Sequence, residues 1–120
     1  MAVRAIRGAI QLDVDEREHL LACTRELVTE VLRVNDLPTD DLISIVFTVT
    51  ADLRSEFPAL AARELGLGDE PLLCTTEIDV PGALPRVVRL MAHAEMATAR
   101  ADVRHVYLRG AAALRRDLAQ

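Results

Sequence analysis

The sequence predicts an α+β (α/β-type) fold, in which one long and one short helix pack on a mixed β-sheet. Apolar residues recur at helical spacing over one long stretch near the N-terminus. Several short stretches rich in apolar and β-branched residues lie between turn residues, as strands do. The resulting order is strand, long helix, strand, short helix and then several strands, which is typical of proteins with a mixed sheet.

The first two elements are a strand and the long helix. Residues 3–10 read VRAIRGAI and alternate as a strand does, and Gly8 indicates a close approach of backbone or ligand. The helix is predicted from six apolar residues at helical spacing: Leu20, Leu21, Leu27, Val28, Val31 and Leu32. We expect Asp13 or Asp15 to cap this helix, and its end to lie near Asn35.

The next two elements are a central strand and the short helix. Residues 36–41 read DLPTDD and predict a turn. Residues 42–50 read LISIVFTVT, a composition that predicts a central strand buried on both faces. Pro58 suits the first turn of a short helix, and Gly66 suits its C-terminal end.

The C-terminal half is predicted to contain only strands and turns. Strands are expected at residues 72–79 and 87–94, with the breaker sequence VPGALP at 80–85 between them. Residues 101–108 end in a further strand, and a short turn then leads to Arg115. Two helices would leave one apolar face of such a sheet uncovered. We therefore expect another subunit to cover that face, or the sheets of several chains to close into a barrel.

Composition limits the classes of function. A length of 120 residues predicts one domain, residues 1–120. The net charge of −5 argues against a nucleic-acid-binding surface, and an aromatic content of 2% leaves no platform for base stacking. The absence of lysine excludes Schiff-base chemistry and a P-loop lysine. No stretch is typical of a signal peptide or a membrane span, so we expect a cytoplasmic protein without a membrane partner.

Four arginines are difficult to explain as ordinary surface residues. Arg7 lies within the first strand, Arg89 lies inside the apolar sequence VVRLMA, Arg63 lies on the short helix, and Arg115 follows an apolar stretch. An arginine in a buried strand is costly unless it is paired or meets an anion. A salt bridge with Glu77 and a ligand site are equally compatible with the sequence. An excess of arginines over carboxylates around one cleft would favour a small carboxylate or phosphate ligand.

Other chemistry is less well supported by the sequence. His19 and Cys23 share a helix face, but two ligands without a third make a poor metal site, so we expect none. Cys74 with His93 or His105 is a conceivable nucleophile pair that no local motif supports. Neither serine lies in a nucleophile-elbow motif, and the chain contains no glycine-rich phosphate loop.

Four stretches resemble the monofunctional chorismate mutases of the trimeric pseudo-α/β-barrel class. They are RAIRGA (4–9), TADLRSEFPALAARELG (50–66), CTTEIDVPGALPRVVRLM (74–91) and RHVYLRGAAALRRDL (104–118), in order and without large gaps. The resemblance implies a homotrimeric pseudo-α/β-barrel with active sites between subunits. It also implies the Claisen rearrangement of chorismate to prephenate, in phenylalanine and tyrosine biosynthesis, without a cofactor.

The resemblance also implies roles for individual residues. Arg89 would stabilise the negative charge that develops on the ether oxygen of chorismate. Arg7 and Tyr107 would bind the carboxylate of the enolpyruvyl side chain, with Arg7 also close to the ether oxygen. Cys74 and Glu77 would hydrogen-bond the ring hydroxyl. Their odd separation places them on opposite faces of a regular strand, so we expect a bend or bulge between them.

Further pocket residues follow from the same resemblance. One wall of the pocket would consist of the consecutive residues Leu73, Cys74, Thr75, Thr76 and Glu77. Four residues would come from the neighbouring subunit: Phe57, Ala59, Leu60 and Arg63. Arg115 would help to close the pocket. Leu60 stands where relatives can have a lysine that faces the ligand, which would affect affinity rather than the chemical step.

Two alternatives are compatible with the same residues. A non-catalytic trimeric binder could use the arginines to bind a small carboxylated metabolite. A purely structural oligomer could instead hold them in buried ion pairs.

Overall fold

The computed structural model describes residues 1–115. Its strands and helices are β1 (Ala2–Gln11), α1 (Arg17–Val34), β2 (Leu42–Val49), α2 (Pro58–Glu64), β3 (Leu72–Thr76), β4 (Val87–Met96) and β5 (Val106–Leu108). Short 3-10 helices lie at Thr39–Asp41, Arg100–Asp102 and Arg109–Ala113. The predicted α+β class, with one long and one short helix, is confirmed.

The five strands form one mixed sheet in the order β3-β2-β4-β1-β5. The central strand β4 is antiparallel to both β1 and β2, whereas β5 is parallel to β1 and β3 is parallel to β2. Arg89 on β4 pairs with Ala9 on β1 and with Thr48 on β2. Because strands hold it on both sides, the backbone of Arg89 has a fixed position in the middle of the sheet.

The main core lies between the helices and one face of the sheet. Ile6, Ile10 and Phe47 of the sheet pack there with Leu20 and Leu27 of α1, and all five are fully buried. This aliphatic packing supplies the main free energy that stabilises the fold.

Gly8 lets α1 lie close to the sheet. A Cβ atom at this position would lie 3.1 Å from Leu90 Cγ and 3.3 Å from Leu27 Cδ1, which is tighter than ordinary van der Waals contact. A close approach at Gly8 is therefore present, but the partners are leucine side chains rather than the predicted backbone or ligand.

The other face of the sheet, which we call the open face, is not covered by a helix. Ala5, Arg7, Leu73 and Met91 are exposed on it. A small cluster of Ala9, Val87, Tyr107 and Ala111 is buried at one end only. The expectation that the two helices leave one face uncovered is confirmed. The expectation that β2 is buried on both faces is wrong for the single chain, since every second residue of this strand is only half-buried: Ser44, Val46 and Thr48.

The ends of α1 differ in part from the prediction. The N-terminal cap is Glu16, whose carboxylate accepts hydrogen bonds from the backbone N–H groups of Glu18 and His19. Neither Asp13 nor Asp15 caps the helix, so that prediction is wrong. The C-terminal end is confirmed, with Asn35 as the capping residue.

The remaining boundaries lie close to the prediction. Pro58 occupies the first turn of α2, and Gly66 follows its end with φ = +94°, a conformation that favours glycine. Strand β3 ends at Thr76, three residues earlier than predicted, and β4 extends two residues further, to Met96. Within residues 1–115, neither helix is long and apolar enough to cross a membrane.

The two phenylalanines of the chain provide a matched test of this core. Phe47 is fully buried between β2 and α1, whereas Phe57 is 67% exposed. We expect Phe47→Ala to lower the free energy of unfolding by about 3–5 kcal/mol, because it leaves a cavity. Phe57→Ala should cost less than about 1 kcal/mol, since its ring leaves no comparable void. Urea denaturation at fixed protein concentration would measure both, and equal losses would contradict the assignment of the core.

Candidate active site

A cleft of about 580 Å³ opens on the open face and contains three arginines. Arg7, Arg89 and Arg115 line it together with Tyr107 and Met91. Among the described residues that line this cleft, none is acidic. The excess of cations over carboxylates that would favour an anionic ligand is therefore present at this site.

The strand register brings these side chains together. Ala9 of β1 pairs with Arg89 of β4 on one side and with Tyr107 of β5 on the other. Arg7 lies two residues before Ala9, so its side chain projects from the same face of the sheet. Residues far apart in sequence thus meet because β1 lies between β4 and β5.

Arg89 forms an ion pair with Glu77 but is not fully satisfied by it. The Nε atom of Arg89 lies 3.1 Å from Oε2 of Glu77, and the two side chains are 40% and 19% exposed. The Nε–H group does not point at that oxygen in hydrogen-bonding geometry, so it is buried without an acceptor. Glu77 Oε2 instead accepts a 2.6 Å hydrogen bond from the hydroxyl of Thr48. The salt bridge left open by the sequence exists, and one N–H of Arg89 still lacks an acceptor.

His105 holds the backbone of Arg7. Its Nδ1 atom accepts a 2.9 Å hydrogen bond from the N–H of Arg7, which assigns the proton of the neutral ring to Nε2. Burial and the nearby cations Arg7 and Arg115 lower the pKa of His105. A neutral imidazole therefore fixes β5 and the start of the cleft to β1.

A second cleft, of about 330 Å³, contains other residues of the predicted site. Phe57 lines it together with Cys74, Thr75 and Thr76. The side chain of Cys74 packs against the main core, on the helix side of the sheet. In the described chain this cleft shares no lining residue with the cleft of Arg7, Arg89 and Arg115, which we call the arginine cleft.

The predicted bend between Cys74 and Glu77 is absent, and that prediction is wrong. Strand β3 pairs in step with β2 from Leu72 to Thr76, and the N–H of Glu77 continues the pairing by donating to Val49 O at 2.9 Å. Regular alternation therefore leaves Cys74 and Glu77 on opposite faces.

The other predicted pocket residues lie apart from the arginine cleft. Ala59 is 5% exposed and packs in the main core of its own chain. Leu60 is half-buried and Arg63 is exposed, both on α2. Leu73 is 61% exposed on the edge strand β3. The structure thus brings together Arg7, Arg89, Tyr107 and Arg115, whereas these four residues do not join them within one chain.

The fold does not support the nucleophile and metal alternatives. Cys74 faces the helices, whereas His93 lies on the open face with Nδ1 at 3.3 Å from Ser44 Oγ. Cys23 Sγ lies 3.5 Å from His19 Nε2, and burial raises the pKa of this thiol. Within residues 1–115, no group of three or more His, Cys, Asp or Glu side chains could hold a metal ion.

Thr48 is the residue of this site that sequence reasoning missed. It belongs to a strand that the composition predicts to be buried on both faces. The alternation of Ser44, Val46 and Thr48 with Ile45 and Phe47 was the available signal. Two of the three residues on that face, Ser44 and Thr48, are polar, which indicates a face that meets solvent or a ligand.

Comparisons with known proteins agree on one family. Residues 3–118 match the family model described as chorismate mutase type I. The chain is 48% identical to the chorismate mutase AroH of Thermus thermophilus, over 97% of this chain and 96% of that protein. It is 35% identical to chorismate mutase AroH of Bacillus subtilis (strain 168), over 98% of this chain and 94% of that protein.

A solved structure shows the same fold. The chorismate mutase of Clostridium thermocellum superposes with a TM-score of 0.90 and 44% sequence identity. The match covers 91% of this chain and 97% of that one.

His105 provides a pH-dependent test of the cleft. Because the folded state lowers the pKa of His105, its contribution to stability is complete above about pH 6.5 and is lost as the pH falls through the lowered value. His105→Asn places an amide oxygen near the Nδ1 position and does not titrate. We expect the wild type to become less stable as the pH falls from about 7 to about 5, a range above that of ordinary carboxyls. The His105→Asn variant should not show this loss of stability. Urea midpoints at fixed protein concentration would measure it.

His93→Asn is the matched control, because Nδ1 of His93 meets a hydroxyl rather than a backbone N–H. This control measures how much the loss of an imidazole elsewhere on the sheet changes stability. An unchanged slope in His105→Asn would contradict the assignment.

Proposed function

The chain belongs to the chorismate mutase type I family, and on that premise we propose how its residues act on the substrate. It is a chorismate mutase, an isomerase of aromatic amino-acid biosynthesis, and its substrate is chorismate. The reaction breaks the ether C–O bond and forms a C–C bond within one molecule, so the enzyme's task is to position the substrate and stabilise charge.

The observation that carries the proposed site is the cluster of three arginines without a lining carboxylate. Chorismate has two carboxylates, and a cleft whose described lining residues include three arginines and no carboxylate complements a dianion. Arginine also binds carboxylates through two parallel hydrogen bonds, which fix orientation as well as affinity. Binding in this cleft would hold chorismate in the compact conformation from which it reacts.

Arg89 is the proposed catalytic residue. Negative charge develops on the ether oxygen as the C–O bond breaks, and the guanidinium of Arg89, which lines the cleft and is 40% exposed, is placed to stabilise it. Because this charge is larger in the transition state than in the substrate, the contact lowers the barrier. Glu77 would orient the guanidinium of Arg89. The hydroxyl of Thr48 holds Oε2 of Glu77, and Oε1 would accept a hydrogen bond from the ring hydroxyl of chorismate.

Arg7 and Tyr107 are the proposed binding residues for the carboxylate of the enolpyruvyl side chain. They project from adjacent strands beside Arg89, which supports a shared ligand. The hydrogen bond from Arg7 N–H to His105 would limit the freedom of Arg7 before the substrate arrives. Arg115 would close over the bound anion from the end of the described chain.

In a homotrimer, the second cleft of one chain would face the neighbouring chain. Three copies that pack through their open faces would bury the apolar surface that the helices leave uncovered. The cleft of Phe57 and Cys74 from one chain would then complete the arginine cleft of the next. Cys74 and Glu77 of different chains could both reach one ring hydroxyl, which their opposite faces prevent within one chain.

The remaining residues of the proposed site have lesser roles. Leu60 and Arg63 lie on α2 at the rim of this contact, and buried Ala59 would shape it through the packing of α2. Residues 73–77 would supply backbone groups. We infer a single domain over residues 1–120 from the family match to residues 3–118. The cytoplasmic location and the independence from a cofactor stay predictions.

Arg89→Ala tests the catalytic assignment. We expect kcat to fall about 10²- to 10³-fold, because one fixed donor to the developing oxyanion is lost. The loss of chorismate ultraviolet absorbance, with prephenate identified as the product, measures the rate. The non-catalytic binder is not favoured by the family, and it predicts no wild-type turnover above the spontaneous rate.

Circular dichroism of the same variant tests the structural alternative. Glu77 keeps the Thr48 hydroxyl as a partner, so Arg89→Ala should fold normally. Unfolding of this variant would instead favour a structural ion pair. Arg33→Ala is the control, because Arg33 is exposed on α1 and, among residues 1–115, forms an ion pair only with Glu30 across one turn. This control should keep the wild-type kcat.

Ala5→Glu tests the trimer. Ala5 is exposed on the open face, beside His93 on β4, and a larger, charged side chain there would lose its hydration in the interface. Sedimentation equilibrium should give three chains of 13.2 kDa for the wild type and a smaller mass for Ala5→Glu. Because two chains would form each active site, kcat/KM should fall when the trimer dissociates. The control Val14→Glu lies before α1 and should stay trimeric, whereas a monomeric wild type would contradict the proposal.

A further inference from the structure

The start of α1 holds the segment 54–57, which precedes α2. The carboxylate of Asp15 accepts two backbone hydrogen bonds, with Oδ2 at 3.0 Å from Arg54 N and Oδ1 at 3.1 Å from Ser55 N. Both oxygens of Asp15 are therefore used, on two consecutive peptide groups nearly 40 residues away. Glu16 already caps α1, so Asp15 is not needed for the helix itself.

A second pair of contacts holds the end of the same segment. Arg17 Nε donates to Glu56 Oε2 at 2.9 Å, and Glu56 Oε1 accepts the N–H of Phe57 at 3.0 Å. The bond from Phe57 N–H and the contact with Arg17 lower the pKa of Glu56. The amide of Phe57 is thus fixed to α1 through one carboxylate.

These contacts fix the backbone that carries the ring of Phe57, which packing in its own chain does not hold. Phe57 is 67% exposed, so the core of its own chain does not determine where its ring points. Hydrogen bonds to an ionised carboxylate are stronger than neutral ones, and here they fix the backbone on both sides of residue 56. Burial raises the pKa of Asp15, but the hydrogen bonds from Ser55 and Arg54 outweigh it and the net pKa is lowered. The carboxylate therefore stays ionised at neutral pH.

We propose that Asp15 and Arg17 are positioning residues for Phe57. They hold the ring in the direction that meets substrate in the neighbouring subunit, although neither side chain touches the substrate. The inference rests on the proposed function, in which Phe57 contacts chorismate. Fixing the segment in advance reduces the ordering cost of binding, so the effect should fall on KM. The charge at the ether oxygen meets Arg89, and kcat should therefore change little.

Asp15→Asn tests this role. Asparagine keeps one acceptor oxygen but presents an N–H to the second backbone amide, so the segment loses one of its two bonds. We expect KM for chorismate to rise about 2- to 10-fold, the range that ordering one side chain represents, with kcat within about twofold of wild type. Steady-state kinetics at neutral pH would measure both constants.

Glu16→Gln is the matched control. Glu16 also accepts two backbone N–H bonds with its carboxylate, one residue further along, but both donors belong to the first turn of α1. It should lower Tm by an amount similar to Asp15→Asn and leave KM unchanged. Equal changes in KM for the two variants would show a general loss of stability and overturn the inference.

A double-mutant cycle with Phe57→Ala separates this inference from the proposed function. If Asp15 acts through Phe57, Asp15→Asn should raise KM in the wild type and have no further effect in the Phe57→Ala background. An unchanged KM in Phe57→Ala alone would refute the assignment of Phe57 in the proposed function, and the role of Asp15 with it. A raised KM in Phe57→Ala, with an equal effect of Asp15→Asn in both backgrounds, would overturn only the positioning role.

Discussion

The structure depends on a sheet that is covered by helices on one face only. Both helices pack on the side of Ile6 and Phe47, and strand alternation then places every intervening side chain on the open face. That face carries apolar residues and Arg7 and Arg89 together. Water-exposed apolar surface favours association, and clustered cations favour an anion, so one face serves both requirements. In the proposed trimer, the substrate site and the subunit contact are therefore adjacent, because both lie on the open face.

The charges of the cleft are balanced only in part. Glu77 lies 3.1 Å from Arg89 and is held by the Thr48 hydroxyl, so it orients one guanidinium. Arg7 forms no ion pair with any described carboxylate, and its backbone is fixed by a neutral imidazole rather than by an acid. The arginines that line this cleft carry like charges that repel one another, and a dianionic ligand would relieve that repulsion. Part of the binding energy would come from this relief, which is distinct from the contact with the ether oxygen.

Spacing in the sequence predicted most of the fold, because periodicity and end signals are local. The C-terminal end of α1, the Pro58 and Gly66 ends of α2 and the order of the elements along the chain follow from such signals, whereas the order of the strands within the sheet does not. The wrong predictions concern choices that depend on residues far away in the sequence. Three acidic residues precede α1 within four positions, and which of them caps the helix depends on where the distant segment 54–57 offers its N–H groups. The bend at β3 was inferred from the resemblance, whereas strand alternation alone predicted opposite faces correctly. The partner of Glu77 at Thr48 depends on register, which composition does not specify.

The proposed assembly would affect the chemistry as well as the stability. In the single chain the Arg89 side chain is 40% exposed, so water screens its interaction with any developing charge. A neighbouring chain that brings the Phe57 cleft over the arginines would exclude this water, and each fixed cation would then act in a medium of lower effective dielectric. The same closure requires the neighbouring segment to arrive in the right conformation, and the carboxylates of Asp15 and Glu56 hold that segment where no core does. In the proposed enzyme, charged side chains would therefore have two roles: the arginines would bind the anion, and the carboxylates at the start of α1 and beside Phe57 would hold the surface that encloses it.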